Sequence, residues 1–104
     1  MMKGISILGS TGSIGQNTLR VVEHLGNIRV VAMAAGRNMS TFADQIAKFK
    51  PDLVSCDDEA CAEVLERELA ARGAAVPQIE LNEKGLVAVA THDEAETVVS
   101  ATVG

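Results

Sequence analysis

Residues 5 to 15 read ISILGSTGSIG: an apolar run, then Gly9, Gly12 and Gly15 at every third position. Ile5 to Leu8 is short and aliphatic and stops at a glycine, so it reads as a buried strand. From Ser13 onward Ile14, Thr18, Val21, Val22 and Leu25 recur at helical spacing, and Gly26 supplies the stop. A strand that passes through a glycine loop into a helix presents free backbone N–H groups and a partial positive charge, which suits phosphate. In such a loop Gly9 permits the turn out of the strand and Gly12 leaves the backbone open to a pyrophosphate. Gly15 lets the helix pack closely. Ser10, Thr11 and Ser13 add hydroxyl donors. The Lys-Ser/Thr ending of a P-loop is missing, which argues against a nucleoside triphosphate hydrolase.

The rest of the chain repeats the same alternation. Ile28 to Ala35 is continuously apolar, the pattern of a strand covered on both faces. Ser40 is placed to cap a second helix in which Phe42, Ile46 and Phe49 share a face, and Pro51 ends it. Leu53 to Cys56 reads as a third strand. Asp57, Asp58 and Glu59 open a third helix with the apolar stripe Cys61, Val64, Leu65 and Leu69, with Arg67 and Arg72 near its far end and Gly73 beyond it. Val76 to Leu81 reads as an edge-like strand because of Pro77, Leu86 to Ala90 as a short helix, and Val98 to Val103 as a last buried strand. Strands alternating with helices predict an α/β, Rossmann-like parallel sheet with helices on both faces, a three-layer αβα arrangement.

Composition sets limits on partners. The chain has 104 residues, enough for one domain, with a formal charge of −5 and only 2% aromatic residues, so Val, Ile, Leu, Ala and Met must build the core. A sequence pI near 4.9 argues against nucleic acid or an anionic membrane as the main partner. No apolar run approaches a membrane span or a signal peptide, and the chain reads as cytoplasmic. Cys56 and Cys61 fit neither a CxxC pair nor a zinc pattern, and His24 and His92 stand apart from any Cys or carboxylate at ligand spacing.

The end of the second strand bears on which dinucleotide the loop would take. An NAD site places Asp or Glu there for the ribose hydroxyls, whereas an NADP site places Arg nearby for the 2′-phosphate. Here the residues are Ala35, Gly36, Arg37 and Asn38, and no acidic residue occurs between Glu23 and Asp44. Arg37 can grip a phosphate bidentately, and Gly36 clears the approach of the adenosine ribose. The pattern points to NADP(H).

GSTGSIG at Gly9 to Gly15, AGRN at Ala35 to Asn38, the Asp57-Asp58-Glu59 run and the tail SATVG together resemble the 1-deoxy-D-xylulose 5-phosphate reductoisomerase family. The resemblance implies that Thr11, Gly12, Ser13 and Ile14 line the pyrophosphate and ribose of NADPH, and that Gly36, Arg37 and Asn38 hold the adenosine 2′-phosphate end. It implies that Ala101 stands toward the nicotinamide. It further implies conversion of 1-deoxy-D-xylulose 5-phosphate to 2-C-methyl-D-erythritol 4-phosphate in non-mevalonate isoprenoid biosynthesis. The resemblance also implies a full-length protein that is normally a homodimer and uses Mg or Mn. Its metal carboxylates and substrate-phosphate residues lie beyond position 104, so residues 1–104 are expected to be an N-terminal NADP(H)-binding part, inactive alone. Asp57, Asp58 and Glu59 are expected to cap a helix, not to bind metal. Two other readings fit the glycine loop: a semialdehyde dehydrogenase-like oxidoreductase with a downstream nucleophilic cysteine, and a non-catalytic NADP-sensing module.

Overall fold

A computed structural model describes residues 2–101. Five strands, β1 (Lys3–Leu8), β2 (Ile28–Ala34), β3 (Leu53–Cys56), β4 (Gln78–Leu81) and β5 (Thr97–Ser100), alternate with four helices. The helices are α1 (Ser13–Leu25), α2 (Met39–Phe49), α3 (Glu59–Ala71) and α4 (Asn82–Ala90). All strand pairs are parallel, and the sheet order is β4-β3-β2-β1-β5. The first three crossovers step one way from β1, and the fourth returns across the sheet to put β5 on the other side of β1. The order therefore reverses at β1, and the crevice beyond its carboxyl end is where open α/β sheets bind ligands.

Two apolar layers flank the sheet. Leu19 and Val22 of α1, Met39, Phe42 and Ile46 of α2, and Leu65 and Leu69 of α3 share one core with Ile5, Ile7, Val30, Met33 and Val54. Burial of one such leucine contributes roughly 1.5–3 kcal/mol. Val89 of α4 packs on the opposite layer with Val31, Ala32, Ala34 and Leu53. The phase change that puts both Val31 and Ala32 on this second layer is a bulge: Ile5 pairs with Val30 but Ser6 pairs with Ala32. This is the expected αβα layering, with three helices on one face and one on the other.

Several details depart from the sequence reading. In α1 the inward residues are Gly15, Leu19 and Val22, while Ile14, Val21 and Leu25 are more than half exposed. Both stripes recur at helical spacing and share Val22, so periodicity alone does not choose between them. In α3 the inward set is Cys61, Ala62, Leu65 and Leu69, with Val64 on the rim. The cap of α2 is Asn38, whose side chain accepts from the Thr41 N–H, and not Ser40. The last strand covers Thr97–Ser100 and is largely exposed, not buried, because it pairs on one side only, with β1, at the edge of the sheet; residues 102–103 lie outside the described residues.

Candidate functional site: a glycine loop at the switch point of the sheet

The loop from Gly9 to Gly12 sits at the carboxyl end of β1 and is tied to β2 by two bonds, from the Gly9 and Ser10 N–H groups to the Ala34 carbonyl at 2.8 and 3.0 Å. Its glycines answer to different demands. Gly9 has φ +83°, a left-handed conformation that L side chains rarely adopt. A Cβ on Gly15 would overlap the Gly9 carbonyl oxygen and stand 2.7 Å from that of Ser10, so the close packing is of helix against loop. Gly12 differs from both. Its φ is −76°, and a Cβ would meet nothing nearer than the Gly9 oxygen at 3.7 Å. The space over Gly12 is open, so its backbone is reachable from outside.

Gly12 is also the N-cap of α1, and no side chain caps that helix. By contrast Asn38 caps α2, and Asp58 caps α3 through the Cys61 N–H at 2.9 Å. The first turn of α1 carries no acidic residue either, so its N–H groups and positive dipole end remain available to an anion. Thr11 is half-buried, and Gly12, Ser13 and Ile14 are exposed, as residues that meet a ligand must be. Ser10 is fully buried with its hydroxyl turned inward, which removes it from the expected hydroxyl donors. Ala101 donates to the Leu8 carbonyl at 2.7 Å, and its own carbonyl lies 4.0 Å from a Cβ placed on Gly12, so it flanks the loop.

The turn from Ala35 to Asn38 leaves the end of β2 beside this loop. Between them a cleft of about 350 Å³ is lined by Gly9, Gly36, Ser55, Asp57, Asn82 and Leu86. The Arg37 guanidinium is largely exposed and paired with Asp58 at 3.3 Å and Asp57 at 3.6 Å. Asp58 beside it, together with Cys61 and Asp57, holds the Arg37 pKa above its ordinary value. The Asp58 carboxyl is held below the usual carboxylate range, first by the Cys61 N–H and then by Arg37. The expectation of a turn free of acidic neighbours holds along the chain but not in space. Hydrogen bonds from Ala35 N–H to Ser55 and from Asp57 N–H to Gly36 bring the ends of β2 and β3 together, and with them Asp57 and Asp58. Nothing in local sequence signals this pairing across 21 positions.

Asp57 and Asp58 are engaged by Arg37, and Asp58 also caps a helix, so this pair does not suit a divalent metal. A second acidic grouping lies at the opposite end of the sheet. There Asp52, His92 and Glu94 bring ligand atoms within 4.8 Å of one another, although the sequence spacing sets His92 apart. Both Asp52 oxygens already accept from Arg29, at 2.8 and 3.2 Å, and that end faces away from the loop. Cys56 and Cys61 are buried and unbridged, and burial pushes the Cys56 thiol up to about 11. One residue that sequence reasoning passed over is Gln45, a buried polar side chain beside Phe42 and Ile46 whose amide reaches the Ser10 carbonyl. A polar residue on an otherwise apolar helix face was the available signal.

Known proteins share this arrangement. The sequence profile described as 1-deoxy-D-xylulose 5-phosphate reductoisomerase matches residues 5–104. The chloroplastic enzyme of that name from Mentha piperita is 47% identical over 103 residues, covering 98% of this chain and 22% of the relative. The enzyme from Symbiobacterium thermophilum is 45% identical over 106 residues, covering 100% of this chain and 27% of the relative. A DOX-P reductoisomerase crystal structure in complex with magnesium superposes with a TM-score of 0.89 at 27% identity, covering 100% of this chain and 26% of that one. The Zymomonas mobilis enzyme in complex with NADPH superposes with a TM-score of 0.85 at 28% identity, covering 100% of this chain and 27% of that one. The chain thus spans about a quarter of the length of the relatives it matches, and with its glycine loop, its Arg37 turn and its parallel sheet it belongs to the 1-deoxy-D-xylulose 5-phosphate reductoisomerase family.

Proposed function

We propose that residues 1–104 form the NADP(H)-binding domain of a longer reductoisomerase. In this reading Thr11, Gly12, Ser13 and Ile14 receive the pyrophosphate at the open start of α1. Gly36, Arg37 and Asn38 receive the adenosine 2′-phosphate. One observation carries it: Gly12, over which the space is open, caps the one helix of the first three that has no side-chain cap, and Gly36, next to Arg37, lines the cleft that begins at Gly9.

In the whole protein NADPH supplies the hydride for conversion of 1-deoxy-D-xylulose 5-phosphate to 2-C-methyl-D-erythritol 4-phosphate in non-mevalonate isoprenoid synthesis. A divalent metal, Mg or Mn, polarises the sugar-phosphate oxygens, held by carboxylates outside residues 1–104. What this chain's own residues do is bind and orient the dinucleotide, so residues 1–104 alone bind without turnover. The whole protein acts as a homodimer in the cytoplasm. No helix among the described residues is long and apolar enough to cross a membrane, and the acidic surface does not suit nucleic acid.

The test is a calorimetric titration of the chain with NADPH and, separately, NADH. A preference for NADPH that is lost in Arg37→Asp supports the reading. Equal binding of both would overturn the role of Arg37, and binding of neither would overturn the site.

A further inference from the structure

We propose that Gln45 is a positioning residue for the glycine loop: from α2 it holds the Ser10 carbonyl inward and thereby turns the Thr11 N–H outward to the phosphates of a bound dinucleotide. This rests on the reading of the loop as the cofactor's phosphate site.

Gln45 is 8% exposed, and its Nε2 donates to the Ser10 carbonyl at 2.8 Å across 35 positions of sequence. A buried amide is costly unless it is bonded; here Nε2 is bonded but Oε1 has no partner, and an apolar side chain beside Phe42, Ala43 and Ile46 would avoid that cost. The polar residue is therefore explained by what it holds. A trans peptide plane points its C=O and N–H in opposite directions, and no peptide bond among the described residues is cis. Fixing the Ser10 oxygen on α2 therefore fixes the direction of the Thr11 N–H. That N–H has no acceptor among the described residues, whereas the next one, on Gly12, donates to the Gly9 carbonyl at 3.3 Å. The following plane is pinned in the same way, because Gln16 Nε2 donates to the Thr11 carbonyl at 2.8 Å.

The two anchors differ in reach. Gln16 belongs to the helix that follows the loop, while Gln45 belongs to the helix whose cap is Asn38. One rigid helix thus carries both the end of the Arg37 turn and the clamp on the phosphate loop. It sets the separation of the two ends of the cofactor.

The test compares Gln45→Met with the parent chain, using NADPH and adenosine 2′-monophosphate, which carries the 2′-phosphate but no pyrophosphate. The expected result is NADPH binding weakened about tenfold, the scale of one lost hydrogen bond, with adenosine 2′-monophosphate changed less than about twofold. Equal weakening of both ligands would assign Gln45 a purely structural role, and unchanged NADPH binding would also overturn the proposal. Should Gln45→Met fail to fold, Gln45→Leu removes the same donor without burying a charge. A parent chain that binds neither ligand would overturn the site itself; a parent that binds NADPH as tightly as its variant would overturn only the role of Gln45.

Discussion

Arg37 and Asp58 form an ion pair at 3.3 Å, and the same Asp58 carboxylate caps α3 through the Cys61 N–H. The group proposed to grip a 2′-phosphate is therefore already partnered, and an incoming phosphate must compete with Asp58 and Asp57. Asp58→Asn separates the two roles, because Asn remains a good N-cap but carries no charge. NADPH binding is expected to tighten about two- to fivefold at low salt, on the scale of a half-exposed ion pair, and to lose that gain at high salt. NADH binding should not change. Equal tightening for both dinucleotides, or none at low salt, would show that the pair does not compete with the 2′-phosphate.

Two glycines of one loop are expected to respond oppositely to alanine. In Gly15→Ala the new Cβ meets the backbone oxygens of Gly9 and Ser10, which cannot move without shifting the strand end. The expected loss of stability is about 1–3 kcal/mol or more. In Gly12→Ala the backbone conformation is ordinary and the space is open, so stability should change by less than about 1 kcal/mol, while NADPH binding falls. Thermal unfolding with a parallel titration distinguishes them. A Gly12→Ala chain that binds NADPH normally would sink the assignment of that position to the phosphates.

Much of this was legible in the sequence. Gly9, Gly15, Gly26 and Gly73 marked turns and a close approach, and Pro77 marked the edge strand. What was not legible has two physical causes. Amphipathic spacing is degenerate when a helix carries two apolar stripes, as α1 does with Ile14, Val21 and Leu25 outside and Leu19 inside. Parallel pairing also joins residues that are distant in sequence. Only the adjacency of β2 and β3 sets Asp57 against Gly36, and only the packing of α2 sets Gln45 against Ser10.

The two thiols are expected to be inert in the native chain. Burial pushes Cys56 up to about 11 and raises Cys61, with the Asp58 carboxylate adding to both. A thiolate is the reactive form, so native labelling of Cys56 by a thiol-specific disulfide reagent near neutral pH should be at least about a hundredfold slower than for an exposed thiol, and Cys61 should also be slowed. Both cysteines should react promptly in denaturant. Fast labelling of Cys56 or Cys61 in the folded chain would mean that a thiolate is stabilised at this corner, contrary to the burial seen.

Acid should destabilise the fold through two carboxylates at opposite ends of the sheet. The Cys61 N–H lowers the pKa of Asp58, and the Arg29 guanidinium lowers that of Asp52. In the unfolded chain both return to about 4, so just below that pH the unfolded state binds more protons and stability rises with pH. Their contribution is complete above the unfolded value and is lost as pH falls through the lower folded values. Denaturant unfolding should therefore give a plateau near neutral pH and a decline below about pH 4. In Asp52→Asn with Asp58→Asn the decline should be shallower. Both groups are about half exposed, so the change is modest and is read best at low ionic strength, where screening is least. An acid limb identical in parent and double variant would place the acid sensitivity in other carboxylates.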